Sequence, residues 1–187
     1  MARRKEYKEE EVIEKAMQLF WRNGYETTSV RMLEKEMGIN QFSVYASFGN
    51  KQGVFLESIK CYKKKAQFEL IDRLDNSDGV EGIKQYFYNF IEFSKDNNSN
   101  KGCLLTNTVN ELGENADTLI MSEIVKFATN VRESFINKLS FNSQKDKATI
   151  DKQANYLMVA LQGLSVASKM FNAKQLDDFI EVTFKNV

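Results

Sequence analysis

The chain contains no proline among its 187 residues. Average proteins contain about 5% proline, so roughly nine prolines would be expected at this length. Proline interrupts helix interiors and occupies many loops, so its absence favours an almost entirely helical fold. A compositional bias toward Lys and Asn is the alternative explanation. We prefer the helical interpretation because apolar residues also recur at helical spacing along the chain.

Nine helices are predicted from this spacing and from the residues that interrupt it. Gly24 and Gly38 are expected to end the first two helices, because glycine accepts the left-handed conformation after a helix C-terminus. Thr27 and Thr28 offer an N-cap for the second helix, and residues 78–81 resemble a capping box for the fifth. The predicted helices span about residues 7–23, 28–37, 41–47, 51–74, 79–95, 103–112, 115–139, 147–171 and 173–185.

The segment from Thr27 to Phe55 has the spacing of a helix-turn-helix. Two short helices meet at Gly38, and a further helix opens at Asn50. A helix-turn-helix places the N-terminal end of its second helix in a DNA groove. Residues 1–65 hold 13 Lys/Arg and 9 Asp/Glu, whereas residues 66–187 hold 13 and 17. This small basic excess is compatible with a DNA-binding head on an acidic body.

Composition argues against an enzyme. The chain has no histidine, which excludes histidine-based triads, imidazole bases and His-metal sites. It has no glycine-rich phosphate loop, and Cys61 and Cys103 are too far apart in sequence to form a zinc motif. Carboxylate-only catalysis stays open, but no motif points to it. We therefore expect no catalytic activity and no bound cofactor or metal.

The sequence predicts a cytoplasmic protein without a membrane partner. No apolar run approaches the roughly 20 residues that span a bilayer. The first residues are charged, MARRKEYKEEE, and lack the apolar segment of a signal peptide. Two cysteines do not make a disulfide framework, which is consistent with a reducing compartment.

One stretch carries a family resemblance: AMQLFWRNGYETTSVRMLEKEMGINQFSVYASFGNKQGVF. It joins an apolar helix ending in Phe and Gly-Tyr, a Thr-Thr/Ser start, a Gly turn, a central Tyr and Phe-Gly-x-Lys. Over about residues 8–56 the chain resembles the DNA-binding domain of the TetR/AcrR family of bacterial transcriptional regulators. The segment GCLLTNTVNELG at 102–113 also resembles a block found in one branch of that family.

The resemblance implies an all-α fold of about nine helices in two domains. Residues 1–50 would form a three-helix helix-turn-helix DNA-binding domain. Residues 51–187 would form a helical effector-binding and dimerisation domain, and the fourth helix, about 51–74, would connect the two.

The resemblance also implies a ligand-responsive regulator. A homodimer would bind a palindromic double-stranded DNA operator and release it when a small hydrophobic effector binds, with repression as the family default. The alternative is a helical protein-interaction module with a degenerate DNA-binding head. Ala46 and Ser47 keep that alternative open, because the family often carries histidine and a second aromatic there.

Nine residues are expected to carry DNA binding. Base readout needs exposed side chains at the start of the third helix; there Gln41 can pair with adenine, and Phe42 can contact a thymine methyl or pack against the second helix. By family position Tyr45 and Lys51 would contact phosphates, although Tyr45 can also be a half-buried core aromatic. Residues 2–5 can follow the minor groove as an arm. The predicted set is Thr28, Ser29, Arg31, Asn40, Gln41, Phe42, Ser43, Tyr45 and Lys51.

Aromatic residues of the fifth to eighth helices are expected to line an effector pocket, if the body has one, although most of them must be core. Cys103, at a helix N-terminus, would be either a reactive, sensing thiol or a buried structural one. The predicted pocket residues are Phe87, Phe90, Cys103, Asn107, Thr108, Glu111, Phe127 and Tyr156.

The eighth and ninth helices are expected to form a four-helix dimer interface. Small residues alternate with leucines along the eighth helix and would allow close helix approach; the alternative is a helix buried inside one subunit. The predicted interface residues are Leu157, Ala160, Leu161, Gly163, Leu164, Ala167 and Phe179.

Overall fold

The computed structural model describes residues 7–96, 99–141, 143–185 and 187. This part of the chain forms nine α-helices, counting residues 51–75 as one, which confirms the predicted class. They are α1 (Glu9–Asn23), α2 (Val30–Met37), α3 (Gln41–Phe48), α4 (51–75), α5 (Gly79–Phe93), α6 (Leu104–Leu112), α7 (Thr118–Ser140), α8 (Lys147–Ala167) and α9 (Ala173–Phe184). The predicted arm at residues 2–5 lies outside the described residues.

Short irregular elements complete the architecture. Strands β1 (Lys95–Asp96) and β2 (Ser99–Asn100) pair antiparallel between α5 and α6 where the sequence predicts only a loop. Helix α4 is continuous but changes type, because a π-helical turn, Gln67–Ile71, separates Lys51–Ala66 from Asp72–Asp75. A 3₁₀ turn, Gly113–Asn115, follows α6.

Helices α1 to α3, which we call the head, pack against the N-terminal part of α4. Phe20 of α1 meets Phe55 of α4 edge-on at 4.7 Å between ring centroids. Leu33 of α2 and Val44 of α3 are fully buried beside them. Burial of large apolar side chains contributes about 1.5–3 kcal/mol each, so α4 is the element that holds the head together.

Helices α5 to α9, which we call the body, enclose a second part of the core. Phe87 of α5 lies between Phe135 of α7 and Phe184 of α9, at 6.2 Å and 5.1 Å. Tyr86 meets Phe135 edge-on at 5.4 Å. In the described part of the chain, no helix is long and apolar enough to cross a membrane.

The head and the body are joined by direct contacts as well as by α4. The indole N–H of Trp21, at the end of α1, donates to the carbonyl oxygen of Gly102 at 3.0 Å. The Lys101 ammonium lies 4.0 Å from the centre of the same ring, and Tyr62 of α4 packs edge-on against it at 4.9 Å. The end of α1 is therefore fixed to the segment that leads into α6.

Three local predictions are wrong in detail. The cap of α2 is Ser29, whose side chain accepts from the Met32 N–H, and not Thr27 or Thr28. Asp78 makes no capping hydrogen bond; the capping box lies at Asn172 and Gln175 of α9. Helix α8 ends at Ala167 and not at residue 171, because the N–H groups of Lys169 and Met170 bond to carbonyls three residues back and not four.

Candidate DNA interface and internal cavity

Helix α3 presents one face to solvent. Its cap is Asn40, whose side-chain oxygen accepts from the Ser43 N–H at 2.9 Å, and Val44 anchors its inner face. Gln41 is exposed, Phe42 is 83% exposed and Tyr45 is 39% exposed. Phe42 therefore does not pack against α2, and the start of α3 is free to enter a groove.

The position of α3 depends on a residue that the sequence interpretation missed. Tyr7 precedes α1 and reaches α3, where its hydroxyl donates to the Ser43 carbonyl at 3.3 Å. The hydroxyls of Tyr7 and Ser47 are also hydrogen-bonded, at 2.8 Å. No sequence signal marks this contact, because it joins residues about 40 positions apart across two helices.

The start of α2 and the start of α4 flank α3. Ser29 and Arg31 are exposed there. Lys51 is half-buried: its ammonium lies 4.3 Å from the Tyr25 ring centre and donates to the Glu26 carbonyl at 3.4 Å. The Glu34 carboxylate accepts the backbone N–H of Gln41, so an anion already sits at the N-terminus of α3.

Thr28 does not have the exposure that a phosphate contact requires. It is fully buried, and its hydroxyl donates to the Gly24 carbonyl at 2.7 Å. Its role in the structure is to close the turn between α1 and α2.

Glu111 of α6 is hydrogen-bonded to the backbone of the same turn. One carboxylate oxygen accepts the Tyr25 N–H and the other accepts the Glu26 N–H, both at 2.8 Å. A carboxylate that accepts two backbone N–H groups makes stronger hydrogen bonds than a neutral acceptor. A Cβ on Gly24 would lie 2.8 Å from both oxygens. Only glycine leaves room for the carboxylate in this position. Glu111 was predicted to line the effector pocket, and that prediction is wrong.

A cavity of ≈ 120 Å³ lies inside the body, between α4, α5, α6, α7 and α8. Phe90, Cys103 and Phe127 line it, as the sequence predicts. The other residues of its wall are Tyr62, Ala66, Leu70, Tyr86, Leu105, Thr106, Val109, Asn110, Ile124, Ala128, Val131, Met158, Leu161, Gln162 and Ser165.

Four further pocket predictions are wrong because these side chains have other surroundings. Phe87 is buried behind the wall, between Phe135 and Phe184. Asn107 faces an outer cleft, where it donates to the Lys101 carbonyl. Thr108 is buried and donates to the Leu104 carbonyl, and Tyr156 is 50% exposed.

Cys103 lies at the wall with its polar atoms engaged. Its backbone N–H donates to the Ser165 hydroxyl at 2.8 Å, and its sulfur accepts from the Tyr62 hydroxyl at 3.4 Å. Cys103 is half-buried, which is compatible both with a reactive thiol and with a structural one. In the described residues, no group of three or more Cys, Asp or Glu side chains is placed to hold a metal ion.

Helices α8 and α9 carry an exposed apolar surface that differs from the predicted one. Leu157, Ala160 and Leu164 are buried within the subunit, Leu161 lines the cavity, and Ala167 is only partly buried. The residues that face outward are Tyr156, Val159, Gly163 and Val166 of α8, Met170 of the turn that follows α8, and Phe179 and Val182 of α9.

We call these seven residues the α8–α9 apolar face. Those between residues 156 and 170 follow a regular pattern. The spacings from residue 156 to residue 170 alternate between three and four, which is the spacing of a helix–helix seam. Nothing lies within 4 Å of the position of a Cβ on Gly163. The small residue therefore sits in open space at the middle of the face.

Comparison with known protein families gives one match. Residues 12–58, which include α2, α3 and the start of α4, match the family model described as bacterial regulatory proteins, tetR family. This range is close to the stretch on which the sequence resemblance rests.

Curated relatives are transcriptional regulators. The chain is 30% identical over 112 residues to the HTH-type transcriptional regulator YezE of Bacillus subtilis (strain 168), covering 59% of this chain and 58% of YezE. It is 24% identical over 173 residues to the HTH-type transcriptional repressor ComR of Escherichia coli (strain K12), covering 89% and 82%. The match to YezE thus spans less than two thirds of that relative.

Solved structures share the whole fold. The TetR family transcriptional regulator CifR, as a cysteine mutant complexed with 26bp double-strand operator DNA, superimposes with a TM-score of 0.81. The match covers 98% of both chains at 21% identity. At this identity the likeness establishes the fold only.

The contact between Gly24 and Glu111 predicts a difference between two glycine substitutions. Gly24 has φ 84° and ψ 173°, a conformation that is essentially restricted to glycine. Gly38 has φ 72° but open space around it. We expect Gly24→Ala to lower the free energy of unfolding by roughly 2–3 kcal/mol, and Gly38→Ala by about 1 kcal/mol, both measured by urea denaturation.

A double-mutant cycle with Glu111→Ala separates strain from contact. Part of the loss caused by Gly24→Ala should disappear when the carboxylate is absent, whereas the Gly38→Ala loss should not change. An equal Gly24→Ala loss in both backgrounds would show that the carboxylate does not occupy this site in solution.

Proposed function

We propose that this chain, which belongs to the TetR family of bacterial regulatory proteins, is a homodimeric repressor that binds a palindromic DNA operator and releases it when a small molecule occupies the cavity. The observation that carries the proposal is the outward face of α3, where Gln41, Phe42 and Tyr45 are exposed on a rigid three-helix head. The matched relatives are regulators and not enzymes, in agreement with the expectation from a chain without histidine.

In this proposal residues 1–50 form the DNA-binding domain and residues 51–187 form the effector-binding and dimerisation domain. A single recognition helix reads too few bases for a specific site, so a two-fold dimer places two α3 helices in successive major grooves. A bacterial DNA target also places the protein in the cytoplasm.

Base readout would come from the first turn of α3. The Gln41 amide can donate to and accept from an adenine edge, and Phe42 can contact a thymine methyl. The side-chain NH₂ of Asn40 and the hydroxyl of Ser43 lie beside these two residues. Because Phe42 is 83% exposed in the free protein, its burial in a groove would add apolar contact that the subunit itself does not provide.

Phosphate contacts would come from the residues around α3. Tyr45 offers a hydroxyl at the protein surface, and Ser29 and Arg31 offer a helix N-terminus and a cation on α2. Lys51 already contacts Tyr25 and Glu26, so its ammonium would bind a phosphate either beside these contacts or in exchange for them. We leave Thr28 out of this set because it is buried.

The α8–α9 apolar face is the proposed dimer interface. Its seven outward residues are exposed in one subunit, and large exposed apolar patches mark interaction sites. A second copy packed around a two-fold axis near Gly163 would form a four-helix interface of the kind that symmetric dimers use. Tyr156, predicted as a pocket residue, belongs to this face.

Effector response would pass through α6. Leu105, Thr106, Val109 and Asn110 line the cavity, and the next residue, Glu111, holds the turn before α2. A molecule that shifts α6 must move this carboxylate or break its hydrogen bonds. Either change would alter the angle between head and body, and hence the spacing of the two α3 helices.

The DNA proposal is tested by selection from a random duplex library with the wild-type protein, followed by fluorescence anisotropy at two salt concentrations. We expect Gln41→Ala to weaken binding of the selected duplex by roughly tenfold to a hundredfold, the loss typical of one bidentate base contact. It should weaken binding of unrelated duplexes much less. Tyr45→Phe should weaken binding of both, because phosphate contacts carry no sequence information.

Gln85→Ala, which changes an exposed glutamine of α5, is the matched control and should bind like wild type. If wild type enriches no sequence and its retention on DNA does not fall with salt, the protein-interaction alternative is the better description.

The dimer proposal is tested by Val159→Asp, with Val125→Asp as control. Both valines are exposed in the subunit, at 71% and 57%, so neither change should unfold it. Val159→Asp buries a carboxylate in the proposed interface, and we expect a monomer by sedimentation velocity with little operator binding. Val125→Asp on α7 should remain dimeric. A dimeric Val159→Asp variant would refute this choice of surface.

A further inference from the structure

The wall of the cavity carries no formal charge. None of the described residues that line it is Asp, Glu, Lys or Arg. A charged ligand would therefore lose its hydration without gaining an ion-pair partner, which is strongly unfavourable in an apolar site. Apolar and aromatic side chains make up most of the wall, and its polar residues Thr106, Asn110, Gln162 and Ser165 belong to α6 and α8.

The volume sets the size of an occupant. The cavity measures ≈ 120 Å³, and an engineered protein cavity of about 150 Å³ admits benzene. A single six-membered ring or a chain of similar size therefore matches this volume.

Tyr86 places at the cavity wall a hydroxyl group that has no hydrogen-bond partner among the described residues. The residue is 3% exposed and belongs to the wall, and its ring packs against Phe135. Its hydroxyl makes no hydrogen bond to any described residue. The hydroxyl of Tyr62, by contrast, is engaged with the Cys103 sulfur at 3.4 Å. Buried hydroxyl groups are normally hydrogen-bonded, so this one has a vacant bonding position toward the cavity.

The Tyr86 hydroxyl is a donor at physiological pH. Burial raises the pKa of Tyr86 well above the ordinary value, and the neighbouring Cys103 adds to the effect. The phenol therefore stays protonated, and a proton acceptor is the partner that it lacks.

We propose that the cavity selects an uncharged molecule of about one ring, whose carbonyl or ether oxygen accepts a hydrogen bond from the Tyr86 hydroxyl. This inference rests on the proposed effector site and specifies its ligand class. The apolar wall supplies the affinity through burial of the ring, and Tyr86 fixes the orientation of the oxygen.

The test uses an isosteric pair, cyclohexanone and methylenecyclohexane, which differ in an oxygen acceptor against a CH₂ group. Binding to the full-length wild-type protein is measured by isothermal titration calorimetry. We expect the ketone to bind roughly tenfold more tightly, the effect of one satisfied buried hydrogen bond. Cyclohexanecarboxylate and cyclohexylammonium should bind at least tenfold more weakly than the ketone.

Tyr86→Phe removes only the hydroxyl. In this variant the preference for the ketone should disappear, while methylenecyclohexane should bind as well as it does to wild type or better. Tyr88→Phe is the matched control on the same helix. Its hydroxyl shares its proton between the carboxylates of Asp177 and Glu181 outside the cavity, so the preference should persist. Thermal unfolding of each variant shows that it is folded.

Three results would overturn the proposal: no binding of any probe, equal binding of the ketone and its isostere to wild type, or a preference that survives Tyr86→Phe. Operator binding of the same wild-type preparation is measured in parallel. If the ketone binds as expected but DNA affinity is absent or unaffected, the proposed regulatory function fails while the ligand class stands.

Discussion

The carboxylate of Glu111 holds the backbone of a turn that belongs to the other half of the molecule. Its two oxygens satisfy the N–H groups of Tyr25 and Glu26 at the point where α1 ends and the chain turns toward α2. Both groups would otherwise need water, and the close approach is possible because Gly24 has no side chain. Together with the Trp21–Gly102 hydrogen bond, these two charge-assisted hydrogen bonds set the orientation of the head relative to α6.

Two of the helices that line the cavity also contact the head. Helix α6 supplies one wall and carries Glu111 in its last turn, whereas α4 supplies Tyr62, Ala66 and Leu70 and begins beside α3. The α4 wall runs into the π-helical turn Gln67–Ile71. Such turns leave backbone groups in a strained register and often occur where a helix has a functional role. In the proposed mechanism, occupation of the cavity would act on two of the connections between body and head, α4 and the Glu111 contact.

Sequence pattern predicted what depends on local chemistry and missed what depends on distant contacts. Helix number and the opening of a helix at Asn50 follow from spacing and capping residues close in the sequence, and they are confirmed. The prediction of which α8 residues face outward was wrong. Leu157 and Val159 are both apolar, and the pattern alone cannot say which of them meets the subunit core. The hydrogen bonds from the Tyr25 and Glu26 backbone to Glu111 join residues about 85 positions apart, so no local signal marks them.

In the proposed dimer, the spacing of the two heads is decisive because one of the proposed phosphate-binding cations is already engaged. Lys51 contacts the Tyr25 ring and the Glu26 carbonyl, and Glu34 places a negative charge at the start of α3. On this proposal, strong operator binding requires two heads bound at once, which is possible only when their separation matches the DNA repeat. A small rotation of the head about the Glu111 contact would change that separation and lower the DNA affinity.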